Sequence, residues 1–195
     1  EIFGVKFSKD DDAKLVTSGT GHIRFWKMAS TFTGLKLQGN IGKFGKVELS
    51  DIYSFEELPD GKVVSGTESG SLLLWEGNFI KCRFVQVGGK PCHIGNVTYV
   101  ELDRNEKCLI TAAEDGYIRW WDFTAIDTAE VDTDITMDFE LLPVAEYYVG
   151  SSNTPTTSIN NNSNNDDDDN SNSNSSNSNS VSNNSISISS TAATH

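Results

Sequence analysis

Three stretches of the sequence repeat one pattern, and this repeat limits the possible fold more than any other feature. The stretches are residues 4–29, 50–79 and 95–123. In each stretch a turn ends in glycine and a tryptophan follows five residues later: Gly21 and Trp26, Gly70 and Trp75, Gly116 and Trp121. A unit that recurs every ~45 residues indicates a repeat architecture, in which neighbouring units bury apolar side chains against one another.

Within each repeat, short runs of β-branched and aromatic residues alternate with turns rich in Asp, Asn and Gly. Runs of this composition between such turns predict antiparallel strands joined by hairpins. Asp60-Gly61 and Asp115-Gly116 can supply the positive φ that tight hairpin turns require. The predicted fold class is therefore all-β, with one hairpin leading into the next.

Two adjacent tryptophans, Trp120 and Trp121, end the third repeat. Neighbouring residues of a strand point to opposite faces, so we expect the two rings to pack on opposite faces of one sheet that lies between two others. Trp120 aligns with Phe25 and Leu74, which are also large and apolar. The alternative is an exposed platform on which a ligand stacks.

The third repeat resembles a WD40 repeat in three motifs: CHIGNV at 92–97, LITAA at 109–113 and EDGYIRWWD at 114–122. The resemblance implies a partial β-propeller of about three four-stranded antiparallel blades. It also implies that His93, Thr111, Asp115 and Trp121 form a buried hydrogen-bonded network that holds the blade together. In that case His93 has a structural role and not a catalytic one.

The first two repeats depart from the WD40 pattern. Thr20 and Ser69 stand where the turn aspartate is expected, and neither repeat has the upstream histidine. We therefore expect the first two blades to lack the full network and to depend more on packing. The expected blade core contains Trp26, Trp75 and Trp120.

Two further segments, HIRFWKM at 22–28 and GKFGKVELSDI at 42–52, are more specific than any WD40 pattern because segments between blades usually vary. With them, residues 4–150 resemble a family of ciliary WD-repeat proteins. The resemblance implies a non-catalytic axonemal scaffold, part of a tether complex that links inner-arm dynein to doublet microtubules and on which motility depends. The implied partners are inner-arm dynein, a paired WD-repeat tether protein and the doublet microtubule.

The implied location is the cytoplasm and cytoskeleton, specifically the axoneme of a cilium or flagellum. The alternative is a general cytoplasmic WD40 adaptor between proteins, which has no reason to share the GKFGKVELSDI segment. Propeller contacts usually come from loops, so residues 28–50, interpreted as a linker between blades, are a candidate binding surface.

The net charge of −13 is unevenly distributed, because all 15 lysines and arginines lie at or before Arg119. The sequence lacks the basic stripe of a nucleic-acid binder, so we expect no nucleic-acid partner. No apolar run approaches the ~18 residues of a membrane span, and no signal peptide is recognisable near Glu1. We therefore expect no membrane partner.

Cys82, Cys92 and Cys108 contain no CxxC pair. A zinc site needs four ligands at short paired spacings, and a disulfide framework usually needs an even number of cysteines, so we expect neither. The glycine pair Gly34 and Gly39 is followed by Asn40, which a phosphate-binding loop would replace with lysine. The sequence predicts no enzyme, no cofactor and no small-molecule substrate.

Glu56, Glu57 and Asp60 fall in a segment interpreted as a turn, where solvated acids are the default expectation.

From residue 151 the composition is dominated by Asn, Ser, Thr and Asp. Such a segment cannot bury enough apolar surface to offset its ordering entropy. We therefore expect WD40 repeats over 1–150 and a disordered low-complexity tail over 151–195. Three blades do not close a ring, so we expect a fragment of a larger propeller.

Overall fold

The computed structural model describes residues 1–150, and the predicted disordered tail at 151–195 lies outside the described residues. The described part folds into antiparallel sheets. Blade 1 is a sheet of four sequential strands: β1 (Ile2–Phe7), β2 (Lys14–Gly19), β3 (His22–Thr31) and β4 (Gly34–Ile41). Each strand pairs with the next along the chain, as the alternation of strands and turns predicts.

Blade 2 begins with another antiparallel meander. Its strands are β5 (Phe55–Glu57), β6 (Val63–Gly66), β7 (Leu72–Glu76) and β8 (Phe79–Gln86), and the short β9 (Lys90–Pro91) folds back onto β8. Blade 3 begins with β10 (Val97–Asp103), β11 (Cys108–Ala113) and β12 (Tyr117–Asp122).

The chain then leaves blade 3 before completing it. It forms the helix α1 (Phe123–Asp127) and the strand β13 (Asp138–Glu140), which pairs in parallel with β8 of blade 2. It returns as β14 (Pro143–Tyr148), which pairs with β12 and becomes the fourth strand of blade 3. The predicted fold, about three four-stranded antiparallel blades, is confirmed, whereas the excursion of β13 to another blade has no counterpart in the repeat pattern.

Glycine is required at the turn between the second and third strands of each blade. Gly21, Gly70 and Gly116 all have positive φ, at 61°, 89° and 76°. At Gly70 the requirement is also steric, because an added Cβ would lie 2.0 Å from the carbonyl oxygen of His93. The invariant distance from this glycine to the tryptophan therefore reflects a left-handed turn followed by a strand of fixed register.

Two apolar clusters hold the three blades together. The first lies between blades 1 and 2 and contains Val16, Ile23, Phe44, Ile52, Phe55, Val63, Leu73, Trp75 and Ile80. The second lies between blades 2 and 3 and includes Leu72, Leu74, Cys82, Phe84, Val97, Val100, Leu109 and Trp121. Leu73 and Leu74 are both fully buried and belong to different clusters, so both faces of β7 are covered. No described helix is long and apolar enough to cross a membrane.

Only the middle blade buries both faces of its third strand. Trp75 and Trp121 are completely buried, whereas Trp26 and Trp120 are only partly buried. Trp26 lies on the face of β3 away from blade 2, and Trp120 lies on the face of β12 away from blade 2. Within residues 1–150 no sheet covers those two faces, so the assignment of Trp26 and Trp120 to the blade core stays a prediction.

Candidate functional site

The buried polar groups of blade 3 are held by strands β11 and β12. His93 lies in the loop before β10 and is 1% exposed. The indole Nε1 of Trp121 donates to the hydroxyl of Thr111 at 2.8 Å, and that hydroxyl lies 2.7 Å from His93 Nε2. Since the indole is only a donor, its hydrogen bond leaves the Thr111 proton free to point at His93 Nε2.

The turn between β11 and β12 contributes the carboxylate. His93 Nδ1 lies 3.1 Å from Asp115 Oδ1. Asp115 also accepts from the backbone N–H groups of Ile94 and Tyr117, each at 3.1 Å. The structure thus brings His93, Thr111, Asp115 and Trp121 into one chain of hydrogen bonds, the four residues that the WD40 resemblance implies. That this network stabilises the blade stays a prediction.

Arg119 is a fifth member of the network that the sequence reasoning missed. Its Nη1 donates to Asp115 Oδ2 at 2.8 Å and lies 2.7 Å from His93 Nδ1, while its Nε donates to Glu146 of β14 at 3.1 Å. The guanidinium therefore ties the outer strand of the blade to the turn. The sequence could have indicated this position for Arg119. Residues two apart in a strand point to the same face, and Arg119 lies two residues before the buried Trp121.

The environment sets the charges of this network. Burial lowers the pKa of His93 from its usual value, and hydrogen bonding to Asp115 offsets that only in part. Burial alone would raise the pKa of Asp115, but hydrogen bonds from Arg119, two backbone amides and His93 lower it to about 2. At neutral pH the histidine is therefore neutral, and the aspartate is an anion beside a buried arginine.

Blades 1 and 2 keep only the tryptophan–hydroxyl part of the network. Trp26 Nε1 donates to Thr17 Oγ1 at 3.0 Å, and Trp75 Nε1 donates to Ser65 Oγ at 2.9 Å. In blade 2 the turn is held by Thr67, whose hydroxyl accepts from the N–H of Ser71 at 2.9 Å. The expectation that these blades lack the full network agrees with this geometry, but the retained hydroxyl partners were not foreseen.

A second polar cluster lies where the inner strands of blades 1 and 2 meet. Glu56 lies in β5, its side chain is 3% exposed, and its two carboxylate oxygens lie 2.7 Å from Lys6 Nζ and Lys9 Nζ. These residues line a cavity of about 370 Å³. The expectation of a solvated turn acid was wrong for Glu56, because the chain is extended there and blade 1 covers the carboxylate with two lysines.

The cysteine, histidine, aspartate and glutamate side chains of residues 1–150 form no exposed reactive cluster. Burial raises the pKa of Cys82 and of Cys92 to about 12, so both remain thiols at neutral pH. Within residues 1–150, no group of three or more His, Cys, Asp or Glu side chains is placed to hold a metal ion. The network around His93 is buried and saturated with internal partners, which fits it for holding strands together.

The segment interpreted as a linker, residues 28–50, is largely a strand. The interpretation as a loop was wrong for residues 28–41, which form the end of β3 and all of β4. Every residue of β4 is exposed. Met28, Leu35 and Leu37 are 40%, 72% and 44% exposed, and Phe32 at the tip is fully exposed. This hairpin is the largest exposed apolar element of blade 1.

Comparison with known proteins agrees with this geometry. The family model "WD domain, G-beta repeat" (WD40) matches residues 84–122, which run from β8 to the end of β12. The chain is 51% identical over 152 residues to cilia- and flagella-associated protein 44 of Mus musculus, covering 78% of this chain. It is 61% identical over 104 residues to the protein of that name from Chlamydomonas reinhardtii, covering 53% of this chain.

The chain contains a WD40 repeat at residues 84–122 and is similar to proteins named cilia- and flagella-associated protein 44. A third relative of that name, from Trypanosoma brucei brucei, is 43% identical over 67% of this chain. The chain spans only 6–8% of the length of these three relatives. Echinoderm microtubule-associated protein-like 3 of Mus musculus is 34% identical over 67% of this chain and 16% of its own length.

The fold also matches a solved propeller. The β-propeller domain of Myceliophteria thermophila Cps50 (Swd1) superposes with a TM-score of 0.58 at 13% identity, covering 75% of this chain and 45% of that one. At that identity the likeness concerns the fold alone. It identifies the three sheets as adjacent blades of a β-propeller, as the sequence predicts.

Proposed function

We propose that this chain is part of a non-catalytic WD-repeat scaffold of the ciliary or flagellar axoneme. The observation that carries the proposal is the identity of 43–61% to proteins named cilia- and flagella-associated protein 44 from three distant organisms. In this role the protein belongs to a tether complex that links inner-arm dynein to doublet microtubules, and beating depends on it. Its location is the cytoskeleton of the cilium.

The placement of its polar groups supports a scaffold role. The side chains of His93, Asp115 and Arg119 in blade 3 form internal hydrogen bonds, so they fix strands to one another. The surface of blade 1, in contrast, presents an exposed hairpin of strand residues. A rigid core with an uncovered rim is the arrangement that protein-binding propellers use.

The partners we propose are inner-arm dynein, a paired WD-repeat tether protein and the doublet microtubule. A microtubule partner is supported by the second group of relatives, which carry the name echinoderm microtubule-associated protein-like 3. We further propose that residues 1–150 form part of a larger propeller. The half-buried Trp26 and Trp120, on the two outward faces of the end blades, are where further blades would pack.

The test is the location of the tagged full-length protein in ciliated cells before and after extraction with detergent and salt. The proposal predicts a signal along the axoneme that survives extraction. It also predicts that inner-arm dynein is recovered by chemical crosslinking to the retained protein. A soluble signal outside the cilium would overturn the proposal and favour the general cytoplasmic adaptor.

Retention without a crosslink to dynein would overturn the tether role alone. A matched control is the same tagged protein with Trp121→Ala, which should destabilise the propeller by about 3–5 kcal/mol. The destabilised variant should be retained in the axoneme less than the parent. If it were retained like the parent, retention would depend on other parts of the protein and not on this propeller.

A further inference from the structure

The hairpin formed by β3 and β4 extends beyond its blade. In blade 2 the strand that carries Trp75 ends one residue later, at Glu76, whereas in blade 1 the strand that carries Trp26 continues to Thr31. Strand β2 pairs with β3 only as far as Lys27, so the paired segment from Met28 to Leu37 projects from the sheet as a two-stranded ribbon. An isolated two-stranded ribbon with exposed apolar side chains is marginally stable in water, so this one calls for a partner.

One edge of β4 has no partner strand among residues 1–150. The order of blade 1 is β1-β2-β3-β4, so β4 pairs with β3 on one side only. Gly42, just after β4, donates its N–H to Ile23 of β3. Because alternate residues of an antiparallel strand point their amides to the same side, the N–H groups of Leu35 and Leu37 point to the free edge.

Basic side chains predominate around this edge, although Asp11 of the neighbouring loop interacts electrostatically with Lys27. Residues 13–47 contain six lysines and arginines and no Asp or Glu, in a chain whose net charge is −13. Within the described residues, neither Lys27 nor Lys36 has a carboxylate within ion-pair distance. The free edge thus combines unpaired amides, exposed leucines and unneutralised lysines.

Blade 2 shows what such an edge binds. Its outer strand β8 is covered by β13, whose sequence is Asp-Phe-Glu. Arg83 of β8 donates from Nε and Nη2 to the two carboxylate oxygens of Asp138, at 2.7 and 2.9 Å. Phe139 packs edge-on against Phe84, and the N–H of Leu141 donates to the carbonyl of Val85 at 2.8 Å. An acidic and apolar strand therefore completes a basic and apolar edge within the same molecule.

We propose that β4 binds an extended acidic and apolar segment of a partner protein by strand addition, as β13 completes β8. Main-chain hydrogen bonds to the amides of Leu35 and Leu37 supply the pairing, and Lys27 and Lys36 select acidic side chains. The outer strand of blade 3 is a poorer acceptor, because β14 contains Pro143 and the acidic Glu146. The inference rests on the proposed scaffold role, since the partner segment would belong to the complex.

The experiment measures binding of a fluorescein-labelled peptide of sequence EIEVEIE to the 195-residue chain by fluorescence anisotropy. The charge-reversed peptide KIKVKIK is the ligand control. We expect EIEVEIE to bind and KIKVKIK not to bind. Binding should weaken as salt is added, because the selecting lysines are exposed.

Two variants separate charge from strand pairing. Lys27→Glu with Lys36→Glu reverses the charge of the ribbon and should weaken binding at least about tenfold. Leu37→Pro removes one free-edge amide while leaving an extended backbone, and should weaken binding by a similar factor of about ten. Lys90→Glu reverses an exposed lysine of blade 2 and should leave affinity unchanged. Circular dichroism melts establish that each variant is folded.

Any of three results would overturn the proposal: no binding of EIEVEIE at millimolar concentration, equal binding of KIKVKIK, or affinity unaffected by either variant. Binding that is lost on charge reversal but survives Leu37→Pro would refute strand addition. Because the assay uses an isolated chain and peptide, its failure is distinguishable from a failure of axonemal retention.

Discussion

Blades 1 and 3 are built from the same repeat, yet they differ in what holds them. In blade 3 the indole of Trp121 is the end of a buried chain of hydrogen bonds that reaches a carboxylate and an arginine. In blade 1 the indole of Trp26 meets one hydroxyl and is partly exposed. The tryptophan and its hydroxyl are the unit common to both blades, while histidine, aspartate and arginine join it only in blade 3, and we predict that they secure that blade.

The largest expected effect comes from removing the tryptophans themselves. Trp121→Ala empties a fully buried site and should lower the free energy of unfolding by about 3–5 kcal/mol. Trp26→Ala, at the equivalent but partly exposed position, should cost about 1–2 kcal/mol. Urea denaturation followed by circular dichroism measures both. Equal losses would refute the claim that the two blades differ in depth of burial.

The turn aspartate gives the next largest effect. Asp115→Ala leaves Arg119 beside a histidine and removes the acceptor of two backbone amides, so it should cost about 3 kcal/mol. The matched change in blade 2, Ser69→Ala, removes only a hydroxyl contact with Thr67 and should cost within about 0.5 kcal/mol. The same denaturation assay applies. A small loss at Asp115 would mean that the network is not what secures blade 3.

Removing the hydroxyl that accepts from the tryptophan indole tests the same hydrogen bond in blades 1 and 3. Thr111→Val preserves shape but leaves the indole of Trp121 and Nε2 of His93 without their partner, at a cost of about 1–3 kcal/mol. Thr17→Val in blade 1 should cost less than about 1 kcal/mol, because water can reach the half-exposed indole of Trp26. Thermal melts of the two variants measure the loss of stability. A larger loss for Thr17→Val than for Thr111→Val would contradict the comparison.

The smallest effect is the pH dependence that His93 confers. Since burial lowers its pKa in the folded state, the unfolded chain takes up a proton first as the pH falls below ~6.5. Stability is therefore full above that pH and declines below it, by at most about 1.4 kcal/mol per pH unit for one proton. His93→Gln should be less stable at pH 7.5 and lose less stability on going to pH 5.5. If the stability of His93→Gln and of the unmodified protein changed equally with pH, His93 would be excluded as the source of the pH dependence.

The repeat pattern predicts the fold well because the residues that determine each blade lie close together in the sequence. The turn glycine and the tryptophan five residues later fix a left-handed turn and a strand in each blade, and the residues of the blade 3 network lie within about 30 positions of one another. Contacts between distant parts of the chain escaped prediction. Lys6 and Glu56 are 50 residues apart, and their meeting depends on how blade 1 packs against blade 2.

The same limit applies to β13 and to the partly buried tryptophans. The sequence Asp-Phe-Glu at 138–140 has no turn signal or periodicity that assigns it to blade 2, because parallel pairing with β8 is a consequence of the packed sheets. Burial of Trp26 and Trp120 likewise depends on neighbours outside their own strands. The position of Arg119 could have been predicted, because residues two apart in a strand share a face and Arg119 lies two residues before Trp121.

The most direct test of the account is hydrogen exchange at the tryptophan indoles, measured by NMR on the unmodified protein. One experiment reads the same N–H group in all three blades, each donating to its own hydroxyl. If the extended network secures blade 3, the indole proton of Trp121 should exchange most slowly, followed by Trp75 and then by Trp26. Exchange of Trp121 as fast as that of Trp26 would contradict the account.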